Sequence, residues 1–161
     1  MLAVTKPRPF LGVLLGGLAA GILDIVYAFV LVGFSANALV RVLQSIASGL
    51  LGSESFKGGP ATAALGLALH LGITIAAAAV YFLFARKSTL VQRHYLLFGA
   101  LFGVLVYLAM NFVVLPLSAV PFKIKYTTLA VLQGFVSHAL LVGLPIAWCL
   151  RRFAFDRQQV A

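Results

Sequence analysis

Asp24, His70, Asn111, Gln133 and His138 each interrupt a long apolar run. Ionisable groups in such surroundings cost roughly 2.5–3.5 kcal/mol on membrane-insertion scales, so each one calls for a reason. A carboxyl near an imidazole shares its proton and titrates as a pair, and histidine's usual pKa of about 6.5 lies within reach of external acid. These residues therefore define a buried polar site suited to proton- or ion-linked function. The same residues suit two other chemistries. His70 and His138, on different segments, can ligate a b-type haem from two sides, with Gly66 and Gly134 one turn earlier leaving room for the porphyrin. Together with Asp24 they also suit a divalent metal. The third reading is structural, with the polar side chains fixing helix register through hydrogen bonds that average about 0.6 kcal/mol each.

Nucleophilic and phosphate-handling chemistry has little support. No Gly-rich phosphate loop and no HExxH motif occurs, and no histidine pair sits at metal spacing on one helix. Ser137 precedes His138 directly, a spacing that predicts different helix faces. Enzymatic activity is not indicated. Cys149 is the only cysteine, which excludes an internal disulfide and reads as a packing residue.

The elements that position these residues follow from composition. Of 161 residues, 63% are hydrophobic and 9% charged, against about 25% charged in ordinary soluble domains. The solvent for such a chain is lipid, and residues 1–161 read as a single integral membrane domain. The net charge of +9 suggests nucleic acid at first sight. Its placement in short flanks of apolar runs, with no basic stripe among aromatics, points to headgroups instead, so no nucleic-acid partner is expected.

Four segments approach the roughly 20 apolar residues a spanning helix needs: Phe10–Gly33, Pro60–Ala85, Tyr95–Leu117 and Thr127–Leu150. Ala36-Asn37-Ala38 has the small-x-small form of a signal cleavage site, but the preceding apolar run is too long for a signal peptide and reads as a retained span. Pro145 lies inside the last span and is expected to free the carbonyl of Leu141 and kink the helix. Between the first two spans, Ser35 can cap a helix over Ala36–Leu51. Its Leu39, Val42, Leu43, Ile46 and Leu50 recur at helical spacing, while Arg41, Gln44, Ser45 and Ser48 fall largely on the other side. That pattern predicts an amphipathic interfacial helix, or equally a lid over the bundle end. The fold class is thus an all-α, four-transmembrane-helix bundle.

Topology follows from the cationic flanks. Lys6, Arg8, Arg86, Lys87, Arg93, Arg151, Arg152 and Arg157 fall on one side, and Arg41, Lys57, Lys123 and Lys125 on the other. The richer side is cytoplasmic, so both termini are expected inside. At 1.5 Å per residue, Asp24 and His70 lie about 4 Å outward of their span midpoints, Asn111 about 7 Å and Gln133 about 8 Å, with His138 near the centre. Stripes of small residues carry them: Gly12, Gly16, Ala20, Asp24; Gly66, His70, Thr74; Gly99, Gly103, Tyr107, Asn111; and Ala130, Gly134, His138. Such stripes let membrane helices approach closely, which turns their polar members inward. A four-helix bundle is small for a transporter, so a homo-oligomer through an unused Gly/Ala stripe is a further expectation.

The segments Gly17-Leu18-Ala19-Ala20-Gly21-Ile22-Leu23-Asp24, Leu43-Gln44-Ser45-Ile46-Ala47-Ser48-Gly49-Leu50-Leu51-Gly52, Leu65-Gly66-Leu67-Ala68-Leu69-His70 and Met110-Asn111-Phe112-Val113-Val114-Leu115-Pro116-Leu117 together resemble small bacterial inner-membrane proteins of the YagU-like kind. The resemblance implies a bacterial inner-membrane location and a connection to acid tolerance. It brings no catalytic residues with it, but it covers Asp24, His70 and Asn111.

Overall fold

Each apolar run becomes one helix. The structure, a computed structural model, describes residues 6–123 and 126–155. Lys125 and Arg157, both counted in the charge bias, lie outside the described residues. In chain order the helices are α1 (Pro9–Val32), α2 (Ala36–Leu51), α3 (Gly59–Ala85), the short α4 (Thr89–Arg93), α5 (Tyr95–Leu117) and α6 (Thr128–Phe153). A 3₁₀ turn over Gly52–Lys57 joins α2 to α3. No strand occurs among the described residues. Four of these helices, α1, α3, α5 and α6, are long and apolar enough to cross a membrane.

Their starts carry the expected chemistry. Pro9 and Pro60 occupy first-turn positions, where a missing N–H leaves no bond unmade. The hydroxyls of Ser35, Ser88 and Thr127 accept from the backbone N–H of Ala38 (3.2 Å), Val91 (3.4 Å) and Ala130 (3.2 Å).

Consecutive long helices run antiparallel. Along α1, Gly17 and Gly21 face Ile75 and Thr74 of α3, and Gly12 and Gly16 face Ala154 and Cys149 of α6. The chain ends of the described bundle therefore meet, and Arg8 N–H donates to Phe153 C=O at 2.7 Å. Between α1, α3 and α6, near that end, lies the apolar core: Ala20, Ala78, Tyr81, Val142, Ile146 and Leu150, closed below by Val91 of α4. Tyr81 meets Phe102 of α5 edge-on, with centroids 5.0 Å apart.

Helix α5 approaches α6 backbone to backbone. A Cβ on Gly103 would overlap the His138 carbonyl, and one on Gly143 would overlap the Gly99 carbonyl. Only glycine permits this approach at both positions. On α6 the contact coincides with a π-helical turn over His138–Gly143, and α5 has its own over Met110–Val114. Both precede a Leu-Pro pair. Leu115 N–H donates to Met110 C=O, and Leu144 N–H to Ala139 C=O, each five residues back. The carbonyls of Asn111 and Leu140 then have only the nitrogens of Pro116 and Pro145 ahead of them, which carry no hydrogen. Pro145 therefore interrupts the ladder as the π turn ends, in the stretch where the break was expected. Tyr126 Oη takes up the Asn111 carbonyl at 3.4 Å.

Helix α2 keeps its predicted bounds but not its predicted face. Gln44 and Ser48, expected on the polar outer side, are buried, at 3% and 0% exposed. The Gln44 amide donates to Gly59 C=O (3.1 Å) and Thr62 Oγ1 (3.3 Å) on α3. At Gly66 of α3 a Cβ would overlap the Leu43 carbonyl of α2. Helix α2 therefore packs along the N-terminal half of α3 through a polar, close-approach seam, because α3 offers both an amide partner and a glycine gap there. Leu50 and Leu51 are left exposed.

Candidate functional site

Asp24 sits one turn beyond Ala20 on α1, and His70 sits opposite it on α3. The antiparallel contact at Gly21 brings them together. His70 Nε2 lies 2.9 Å from Gly21 C=O and 4.0 Å from Asp24 Oδ2. A carbonyl only accepts, so Nε2 of His70 carries a proton whether or not the ring is charged. The side chains are largely covered, at 13% exposed for His70 and 21% for Asp24. At 4.0 Å the two groups are an ion-pair contact and not a hydrogen bond.

His138, on α6, lies within electrostatic reach of Asp24 and His70 without contacting either. Its Nδ1 is 3.1 Å from Gly134 C=O, one turn back, and so carries the proton of the neutral ring, leaving Nε2 as the basic nitrogen. Tyr107 of α5 lies edge-on against the ring at 5.2 Å, and its own ring fills the space beside Gly134. Of the five residues singled out from sequence, Asp24 and His70 meet, with His138 in their neighbourhood.

The other two stand apart. Asn111 donates from Nδ2 to Tyr107 C=O on its own helix at 2.9 Å, reaching the cluster only through Tyr107. Gln133 is exposed on α6 and lies on the rim of a surface groove beside Tyr27. Its depth matches that of the site, but its face is about 100° from that of Gly134. Tyr107 itself was legible only as a member of the α5 stripe. Its role as a wall of the site needed the α5–α6 contact. Ser137 Oγ lies 3.4 Å from His138 Nδ1, nearer than the face argument allowed, but it donates to Gly134 C=O at 3.2 Å. Neighbouring residues meet here because both bond back to the same carbonyl.

A haem does not fit between the two histidines. The gap at Gly66 holds the Leu43 carbonyl of α2, and the gap at Gly134 holds the Tyr107 ring. His70 Nε2, the usual haem-ligating nitrogen, is committed as a donor to Gly21. Nor do Asp24, His70 and His138 make a divalent-metal site, since no three of His, Cys, Asp and Glu among the described residues stand together closely enough to hold an ion. The small residues read from sequence as vacant space are instead the places where helices touch.

No protein-family model, curated protein or solved structure matches this chain.

Proposed function

We propose that this chain is a multi-pass protein of the bacterial inner membrane, with both termini cytoplasmic, that takes up and relays a proton at Asp24, His70 and His138 as part of an acid response. The observation that carries the reading is the 4.0 Å approach of Asp24 to His70, with His138 in range of both. A carboxylate beside an imidazolium and a carboxylic acid beside a neutral imidazole have the same net charge. Whichever of the two groups holds the proton, the pair adds no charge to the hydrocarbon, the main barrier to carrying a proton there; on His70 it is taken up and lost at Nδ1, because Nε2 stays the donor to Gly21 C=O. His138 Nε2 provides a second basic position one helix away.

Four apolar helices of spanning length support the membrane reading. Among the described residues, Lys6, Arg8, Arg86, Lys87, Arg93, Arg151 and Arg152 gather at the end where the chain enters and leaves the bundle. Arg41, Lys57 and Lys123 lie toward the other. That bias favours cytoplasmic termini. The resemblance to YagU-like proteins supports the compartment and the link to acid. In this orientation α2 covers the outer half of α3, where the amphipathic pattern would set it near the outer interface.

The test is reconstitution in liposomes holding a pH-sensitive dye, followed by an external acid pulse. Wild-type protein should speed acidification of the lumen, and Asp24→Asn and His70→Gln should return it to the leak rate. His70→Gln is the sharper variant, since its amide can still donate to Gly21 C=O while carrying no titratable proton. A second reading, a structural subunit, is favoured by the interhelical His70–Gly21 bond. It wins if wild-type vesicles acidify no faster than empty ones and both variants only lower the melting temperature.

A further inference from the structure

The amide of Gln133 is exposed on α6, and among the described residues no hydrogen bond satisfies it. Apart from Arg152 in the last turn of α6, it is the one amide or ionisable side chain exposed along the four long helices among the described residues. Asp24, His70, Asn111 and His138 are all partly covered. If α6 spans the bilayer, as the membrane reading above requires, this amide faces lipid. Acyl chains offer it neither donor nor acceptor, and an unpaired amide in hydrocarbon costs several kcal/mol.

The surroundings of Gln133 have the form of a helix-packing face. Leu129, Leu132, Val136 and Leu140 are all exposed, at the three- and four-residue spacing that puts them on one side of α6 with Gln133 among them. Beside this stripe runs a groove of about 440 Å³, walled by Tyr27 of α1 and by Leu132, Val136 and Leu140. Its exposed walls are mostly apolar, Ser137 is buried in its lining with its hydroxyl bonded to Gly134 C=O, and Gln133 stands among them.

We propose that this face is the interface between two copies of the chain, which pack their α6 helices about a two-fold axis with the Gln133 amides paired. A carboxamide carries a donor and an acceptor side by side, so it is its own complement under two-fold rotation. Each amide donates an N–H to the other's carbonyl, and both are satisfied. The apolar stripe is likewise self-complementary, with the side chains of one α6 lying in the groove of the other. Polar pairs of this kind hold membrane helices together. A lipid chain in the groove would leave the amide unpaired, which argues against that occupant.

Crosslinking in native membranes tests this. Cys149 is buried, so a single introduced cysteine reports alone, with wild type as the blank. Two paired glutamines keep their backbones too far apart for a direct disulfide, so a short bismaleimide is the reagent. Gln133→Cys should give a crosslinked dimer of the chain, and Leu105→Cys, on the outward face of α5, should give none. In nanodiscs, single-molecule photobleaching should show mostly dimers for wild type and Gln133→Asn. Association should fall about tenfold for Gln133→Leu, the effect of losing a buried polar pair. Crosslinking at Leu105→Cys as strong as at Gln133→Cys would overturn the proposal. So would a monomeric wild type, a Gln133→Leu variant that still pairs fully, or a Gln133→Cys product containing a different protein. Recovery of the chain in the soluble fraction would instead sink the membrane reading beneath it.

Discussion

The α5–α6 contact allows a stability prediction in which two opposed effects separate cleanly. Replacing Gly143 with alanine adds one methyl group. In a helix interior alanine is favoured over glycine by about 1 kcal/mol. At Gly143, however, the methyl overlaps the Gly99 carbonyl and stands 2.8 Å from the Gly103 nitrogen. Ordinary contact begins about 0.6 Å further out, and backbone atoms cannot turn aside as a side chain would. Helix α5 must retreat, loosening its contacts at Gly99, Gly103 and Ala147 together. That places the penalty at the upper end of the overpacking range, about 3 kcal/mol. Gly72 on α3 is the control, since a methyl there meets nothing within 4 Å. Both variants share the helix-propensity gain, so it cancels in the comparison. Gly143→Ala should fall about 2 kcal/mol below wild type and Gly72→Ala rise by up to about 1, a gap of about 3 kcal/mol. Unfolding by SDS in mixed micelles, followed by far-UV ellipticity and by the fluorescence of the single tryptophan, Trp148, measures both. Stabilities within 1 kcal/mol of each other would refute the backbone-to-backbone approach.

Replacing Gln44 with leucine leaves Gly59 C=O and Thr62 without their amide donor, so the α2–α3 seam should weaken by about 1–3 kcal/mol. Hydrogen exchange should then rise in α2 before it rises in α1. Tyr126→Phe removes a hydroxyl whose bond to Asn111 C=O is long, at 3.4 Å, on a half-exposed ring. Its stability should change by less than about 0.5 kcal/mol, within the ordinary range for surface substitutions. Cys149 is 5% exposed and packs against Gly16, so a maleimide should leave the folded protein unlabelled and modify it fully in SDS. Rapid labelling of the native protein would mean that the α1–α6 contact is absent.

The helices themselves were legible because hydropathy and capping are local. Ser35 announces the start of α2 by its own chemistry, and α2 ends where its apolar periodicity ends. The meeting of Asp24 with His70 was legible too, because small-residue stripes at matching depth leave few other partners. Two features depend on what a neighbouring helix supplies. The inward turn of Gln44 follows from the Gly59 carbonyl and Thr62 on α3, which no pattern within α2 encodes, while the buried Ser48 hydroxyl bonds back to Ser45 C=O. Gly66 and Gly134 gave the same signal as open space, and only the position of Leu43 and Tyr107 shows that they are filled. Gln133 shares the depth of the site but not its face, so the depth argument misplaced it. The five-residue step from Ser137 to Val142 among the buried positions of α6 records the π turn in the burial pattern. In the sequence only Pro145 hinted at it.

The twin Leu-Pro turns also set where the bundle is mechanically soft. A helix resists bending through its ladder of hydrogen bonds, and α5 and α6 each have a rung missing, at the Asn111 and Leu140 carbonyls. Helices α1 and α3 carry proline only in their first turns, so their ladders run unbroken past Asp24 and His70. Flexure of the fold is therefore concentrated on one side, in two hinges staggered along an antiparallel pair. His138 occupies the first position of the α6 hinge. Asp24 and His70 ride on the stiff members and His138 on the compliant one, so any bending of α6 changes the gap between the third proton-bearing group and the first two.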